Sequence, residues 1–312
     1  MIIDIIIFLV AMAALIKGAD FVIDEAEKIA LHFKIPSFVI GATVVALGTS
    51  LPEMVASIIA SYKHHSELAV SNVIGSNIIN LALVLGLVFV IAKKLTPKRD
   101  IFKEDSAWAL FPILAFLLIA YDGVIDRFEG VIYLCMMGAY LVFLKNNAMD
   151  MLEVENDEEK EKFDTLKTVG LLGVGFALVI VGANFAVDSA SNIARGFGVS
   201  EWVIGLLLVA FGTSLPELVV SLQAARKKDA DMAIGNIIGS NIANFTVVIG
   251  ASAVVNPLIV DLQKSMFDIL AALLLTVMLV FVAVDKLYNR STGIVFLLIL
   301  LLVVEHSLGL KP

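Results

Sequence analysis

Residues 39–80 recur at residues 203–244 without a gap, at a constant offset of 164, and 23 of the 42 aligned positions are identical. Two stretches carry most of the match. ALGTSLPE at 46–53 returns as AFGTSLPE at 210–217, and NVIGSNIIN at 72–80 returns as NIIGSNIAN at 236–244. Upstream, GADFVID at 18–24 returns as GANFAVD at 182–188. Shared composition does not align polar residues in register, so the chain is a duplication. Apolar runs lie at 2–33, 35–62, 68–92, 106–120 and 130–144, then at 166–194, 202–225, 232–257, 267–284 and 292–307. An odd number of spans per copy forces the second copy into the membrane from the opposite face. The expected fold is therefore an all-α polytopic membrane protein of ten transmembrane helices in two inverted five-helix repeats. Residues 1–145 form the first, 146–165 an acidic linker and 166–312 the second.

Composition agrees. Hydrophobic residues make up 60% and mean hydropathy is +0.97. Charged residues are 17%, against about 25% in soluble domains. A water-soluble enzyme is excluded, and ten spans of about 20 residues leave no room for a separate soluble domain. No nucleophile–base pair or metal set suggests a membrane enzyme, and no cofactor is expected. Of the net charge of −8, −6 falls in residues 150–164, a solvated linker without calcium-loop spacing. The single cysteine, Cys135, excludes an intramolecular disulfide and a cysteine metal site. Residues 1–16 lack a basic leader and a cleavage site, and read as the first span. No basic stripe suits nucleic acid.

The basic residues set an expected orientation. With the N-terminus outside, cytoplasmic connections hold 16 Lys and Arg, including Lys93, Lys94, Lys98, Arg99, Lys103, Lys160, Lys162 and Arg226 to Lys228. Outer connections hold only Lys63, Arg127, Arg195, Lys264 and Lys311. The positive-inside rule then puts both termini outside and the acidic loop in the cytoplasm, in a multi-pass plasma-membrane protein. Nothing in the sequence implies an oligomer.

The chemistry concentrates at Glu53 and Glu217, carboxylates deep in apolar runs, where such groups mark ion or proton routes. Each follows Leu-Pro. Proline has no N–H, so the Gly48 and Gly212 carbonyls lose their helical partners. Leu51 and Leu215, preceding proline, are biased out of the α region. The helix should break near Gly-Thr-Ser-Leu-Pro, setting Thr49, Ser50, Thr213 and Ser214 beside the acids. Ser76 and Asn80 lie at i, i+4 on one helix face, as do Ser240 and Asn244; Asn77 and Asn241 lie on a neighbouring face. Carboxylates, amides, hydroxyls and freed carbonyls make an all-oxygen set suited to hard cations such as calcium and sodium. Two acids balance one Ca²⁺, two Na⁺ or two protons, and competition among these loads is the arithmetic of an exchanger.

The paired GTSLPE and GSN-I-x-N elements resemble the α-repeats of the calcium/cation antiporter superfamily, most closely its sodium/calcium exchanger branch and prokaryotic members. The resemblance covers essentially the whole chain. It implies ten helices, with the second and third of each repeat forming a core around the ions and the first helix of each sliding across it for alternating access. Carried onto this sequence, the ion ligands are Thr49, Ser50, Glu53, Ser76, Asn80, Thr213, Ser214, Glu217, Ser240 and Asn244, with backbone carbonyls near Ala46 and Ala210. Asn244 departs from members with aspartate there, which bears on sodium stoichiometry and weakens the likeness to the potassium-dependent branch. Gly75-Ser76-Asn77 departs from the glutamate-bearing motif of the proton/calcium branch. The function expected is calcium-for-sodium antiport at a midplane site, with calcium/proton antiport on the same fold as the alternative and a cation channel as a rival class. Asp24 and Asp188 are expected in a solvated or capping role, and His64, His65 and His306 at the surface. Gly41, Gly86, Gly205 and Gly250 are expected at close helix crossings.

Overall fold

Hydrocarbon offers no partner to backbone N–H and C=O groups, so apolar runs of this length close their hydrogen bonds internally as helices. The structure, a computed structural model, describes residues 2–92, 95–151, 164–197 and 210–307, and these are nearly all helical. Residues 203–209 of the second repeat, Gly205 among them, lie outside the described residues. So do most of the acidic linker and Lys93, Lys94, Lys160, Lys162 and Lys311.

The first half runs α1 (Ile2–Phe33), α2 (Ser37–Thr49), α3 (Leu51–Tyr62), α4 (Ser66–Ala92), α5 (Ile101–Ile119) and α6 (Arg127–Met151). The second runs α7 (Thr165–Gly196), α8 (Ala210–Thr213), α9 (Leu215–Arg226), α10 (Ala230–Val255), α11 (Leu262–Val284) and α12 (Arg290–Ser307). Seven described helices are long and apolar enough to cross a membrane, and the bent pair α2–α3 brings the count to eight. They fall into two kinds. Of the apolar stretch, 67% is buried in α4 and 78% in α10, against 22–39% in the other five. The two helices that carry Gly-Ser-Asn are therefore the core, and the rest present residues such as Leu118, Phe128 and Leu301 outward.

Contacts come in pairs that exchange the two halves. Strand β1 (Val124–Ile125) pairs antiparallel with β2 (Leu258–Ile259), putting Val124 opposite Ile259. The positions 164 away, Leu95 and Tyr288, are joined by a backbone bond of 3.0 Å from the Leu95 N–H to the Tyr288 carbonyl. Along α1 and α7, a methyl on Gly18 would come within 2.8 Å of the Gly175 carbonyl oxygen, and one on Gly182 within 3.0 Å of the Ala11 carbonyl oxygen. Each contact is the other's image under the repeat offset. The expected close crossings hold at Gly41, Gly86 and Gly250, where an added Cβ would lie 2.7 Å from the Met232 oxygen, 3.2 Å from Leu297 and 2.8 Å from the Gly130 oxygen. Backbones in such near contact gain dispersion where the surrounding lipid supplies no hydrophobic drive.

One pairing lacks its image. Asp24 is exposed, as expected for a solvated role, and pairs there with Lys227 just beyond α9, while Asp20 accepts a 2.5 Å bond from Gln223 Nε2. The equivalents of Asp24 and Lys227 are Asp188 and Lys63, both exposed and in no ion pair among the described residues.

A buried pair ties down the turn before α5. Arg99 gives bonds of 2.5 and 3.0 Å from Nε and Nη2 to Asp105, and its guanidinium carbon sits 4.7 Å above the ring of Phe38 on α2. The backbone N–H groups of Lys98 and Arg99 both donate to Asp231 on α10. Loss of one partner would strand a buried charge, a loss of about 3–5 kcal/mol. Arg99→Ala is expected to lower the melting temperature in detergent sharply, and the double change Arg99→Met with Asp105→Leu to recover most of it.

Candidate cation-binding site

The helix carrying each Leu-Pro-Glu does break, at Ser50 (φ −82°, ψ 8°) and Ser214 (φ −88°, ψ 6°). The expectation that Leu51 and Leu215 leave the α region is corrected: they begin α3 and α9, and the break falls one residue earlier. Proline at the start of a helix occupies a position whose N–H has no intrahelical acceptor, so it begins the helix without strain. Helices α2 and α3 meet at 49°. The first backbone bonds past the breaks run from Met54 N–H to Ser50 O (3.0 Å) and from Leu218 N–H to Ser214 O (3.1 Å). Pro52 and Pro216 offer nothing to the carbonyls of Gly48 and Gly212.

The breaks place the hydroxyls of one half against the acid of the other. Ser50 Oγ donates to Glu217 Oε1 at 2.9 Å. Thr49 lies near the same carboxylate, while Thr213 and Ser214 lie near Glu53, and the two carboxylates are within electrostatic reach of each other. Glu53 is 1% exposed and Glu217 wholly buried. Thr49 Oγ1 stands 3.2 Å from both the Ala46 carbonyl oxygen and Asn236 Oδ1, and Ser240 Oγ donates to the same Ala46 oxygen at 3.4 Å. Ala46 is thus at the meeting point of α2 and α10. The side chain of its repeat partner Ala210 lies outside the described residues. Ser76 is buried one helical turn from Asn80 on α4.

The four asparagines of the two Gly-Ser-Asn elements form a quartet across the halves. Asn80 Nδ2 donates to Asn241 Oδ1 at 3.1 Å, and Asn244 Nδ2 to Asn77 Oδ1 at 3.0 Å. Asn77 Nδ2 reaches the Asn241 carbonyl at 3.4 Å and Asn241 Nδ2 the Asn77 carbonyl at 3.5 Å. Among the described residues nine buried side-chain oxygens have no hydrogen-bond partner, and six of them lie here: both of Glu53, Oε2 of Glu217, Oδ1 of Asn80, Oδ1 of Asn244 and Oγ of Ser214; the other three, on Glu25, Tyr140 and Ser252, belong to residues outside this set. All six belong to the residues singled out from sequence. Buried oxygens left without donors, three of them on carboxylates, are what a cation would satisfy.

Three features escaped the sequence reading. Asn236 binds Ser221 Oγ (2.9 Å) as well as Thr49, and Asn72 binds Ser57 Oγ (2.9 Å) and the Glu53 carbonyl (3.3 Å). These pairs brace the acid-bearing helices against α4 and α10. Their signal was present, since Asn72/Asn236 and Ser57/Ser221 are polar identities of the repeat. Asn77 and Asn241 hold the site asparagines rather than only flanking them. Finally, Asn80 and Asn244 each open a π-helical stretch, Asn80–Leu85 and Asn244–Val248, and a third covers Gly41–Val45. Such widened turns recur at functional sites, but periodicity does not announce them.

A donor set made wholly of oxygen, buried where two halves of a membrane-spanning bundle meet, defines a membrane protein that handles hard cations. The family model described as sodium/calcium exchanger protein matches the chain twice, over residues 3–145 and 167–309, and the chain belongs to that family. It is 39% identical over 290 residues to an uncharacterized membrane protein of Methanocaldococcus jannaschii, with 93% of each chain covered. To the sodium/calcium exchanger MaX1 of Methanosarcina acetivorans it is 30% identical, with 95% of this chain and 96% of the other covered. Among solved structures, the sodium–calcium exchanger NCX_Mj soaked with zero Na⁺ and Ca²⁺ superposes with a TM-score of 0.84 at 34% identity, covering 98% of this chain and 99% of that one.

A ligand that binds only the folded state stabilises it, by about 2.7 kcal/mol at a hundredfold excess over Kd. Calcium added to ion-free protein in detergent is expected to raise its melting temperature, and Glu53→Gln to remove most of that rise.

Proposed function

We propose that this protein is a secondary-active antiporter that exchanges calcium for sodium by alternating access at one shared site. The observation that carries the reading is the set of six buried oxygens without a partner among the described residues, drawn from Glu53, Asn80, Ser214, Glu217 and Asn244. The ligands are Glu53, Glu217, Thr49, Ser50, Thr213, Ser214, Ser76, Asn80, Ser240 and Asn244, with the carbonyls of Ala46 and Ala210. Two carboxylates neutralise one calcium or two sodium ions, and filling the pair with either load excludes the other, because excess charge in a low-dielectric site is costly. The naming of MaX1 and NCX_Mj as sodium/calcium exchangers supports the choice of ions.

The architecture proposed with it is ten spans in two inverted five-helix repeats, residues 1–145 and 166–312, joined by the acidic linker 146–165. The double family match and the paired contacts across the halves support this division. The excess of basic residues in alternate connections supports both termini outside and the linker in the cytoplasm of a plasma-membrane protein.

Vesicles reconstituted with the full chain and loaded with sodium test the reading. Calcium uptake is expected when an outward sodium gradient is imposed at clamped pH. Uptake driven by a pH gradient alone would replace sodium with protons, and ungated calcium flux at high conductance would make the protein a channel. Glu53→Gln and Glu217→Gln are each expected to abolish uptake while the protein keeps its elution profile and helical content. Normal transport by either variant would remove that acid from the site.

A further inference from the structure

The site asparagines can serve a cation only with one of their two polar ends. An amide turned by 180° exchanges its acceptor oxygen for an NH₂ group, whose partial positive charge repels the ion. Among the described contacts, Asn80 and Asn244 each have a single hold on this choice, the bond from Nδ2 to Asn241 and Asn77 respectively. That bond turns the NH₂ group toward its holder and leaves Oδ1 of both residues buried and, among the described residues, unpartnered.

The holders are themselves fixed by backbone. Asn77 Nδ2 is turned toward the Asn241 carbonyl and Asn241 Nδ2 toward the Asn77 carbonyl, so each Oδ1 must point at the neighbouring site asparagine. Helix backbone thus orients the holder, and the holder orients the ligand. The arrangement is its own image under the repeat offset.

We infer that Asn77 and Asn241 are positioning residues, which set the amides of Asn244 and Asn80 with their oxygens toward the ion without touching it themselves. This rests on the cation site proposed above and adds a specific claim about amide orientation. Aspartate distinguishes it from mere packing, because a carboxylate has two equivalent oxygens and needs no holder to choose between them.

The test is a double-mutant cycle on the full chain, read as the calcium concentration giving half the maximal thermal shift in detergent, an assay that needs no counter-ion. Asn77→Leu is expected to raise that concentration roughly tenfold. In an Asn244→Asp background the same substitution is expected to change it less than twofold. Absolute affinities shift with the added charge, so each comparison is made within one background. An equal loss in both backgrounds would make Asn77 a packing residue and overturn the inference, as would no loss in a folded Asn77→Leu protein. If Asn77→Leu does not fold, the image cycle of Asn241→Leu with Asn80→Asp decides by the same criterion. A wild-type chain showing no calcium-dependent shift would overturn the site itself, and the inference with it.

Discussion

A carboxylate buried without a cationic partner costs several kcal/mol, and this chain buries two at equivalent positions, Glu53 and Glu217. Much of the surrounding structure follows from that constraint. Lysine or arginine beside either acid would satisfy it permanently. The neighbours here are the hydroxyls of Thr49, Ser50, Thr213 and Ser214, which moderate the charge without cancelling it. A buried ion pair, Arg99 with Asp105, is placed instead at the turn entering α5. Stability and ion chemistry are thus kept in different parts of one core.

Presenting so many oxygens requires helices that are imperfect where they carry them. Pro52 and Pro216 begin new helices, so Ser50 and Ser214 leave helical geometry and turn their hydroxyls across to the other half. Asn80 and Asn244 start widened turns. Elsewhere the helices are held together by near backbone contact, as at Gly18 against Gly175, which asks for little side-chain specificity. The polar residues of α4 and α10 are freed from a packing role and gather at the interface between the halves.

The duplication, the helical membrane class, the break at Gly-Thr-Ser-Leu-Pro and the acids were legible because each is a departure from a uniformly apolar helix. Proline chemistry located the break to within a residue, and missed by one because the bias against α geometry before proline is weaker than the fit of proline at a helix start. The hydroxyls Ser50 and Ser214 were readable as neighbours of glutamate, but not as neighbours of the other repeat's glutamate, since spacing along one chain says nothing about which copy a side chain faces. Asn77 and Asn241 were placed on a neighbouring face by the same one-helix reasoning. The contact of α4 with α10 at the middle of both helices turns that face into the interface, and Asn72 and Asn236, identical in both copies, could have been read as braces on the same ground.

The two halves share their motif residues and yet sit in unlike arrangements. Ser50 is bonded to Glu217, while in the image pair the Ser214 hydroxyl lies near the Glu53 carboxylate with no such bond among the described residues. Thr49 reaches Asn236, and no such bond joins their images Thr213 and Asn72 among the described residues, although Asn72 binds Ser57 as Asn236 binds Ser221. At the end of α9, Asp24 holds Lys227, while Asp188 and Lys63 stand apart. Identical side chains cannot by their chemistry prefer one of two image arrangements, so the difference within the motifs belongs to conformation. Exchanging the roles of the halves would make and break equivalent bonds there, and the energy between the two arrangements is left to residues that are not repeated. Asp20 and Gln223 are such residues, because their images, Asn184 and Ile59, cannot form the same bond. A site that is nearly symmetric in sequence and asymmetric in its bonds fits the alternating access proposed above, in which two states of similar energy differ in which acid is held by the hydroxyl of the other half.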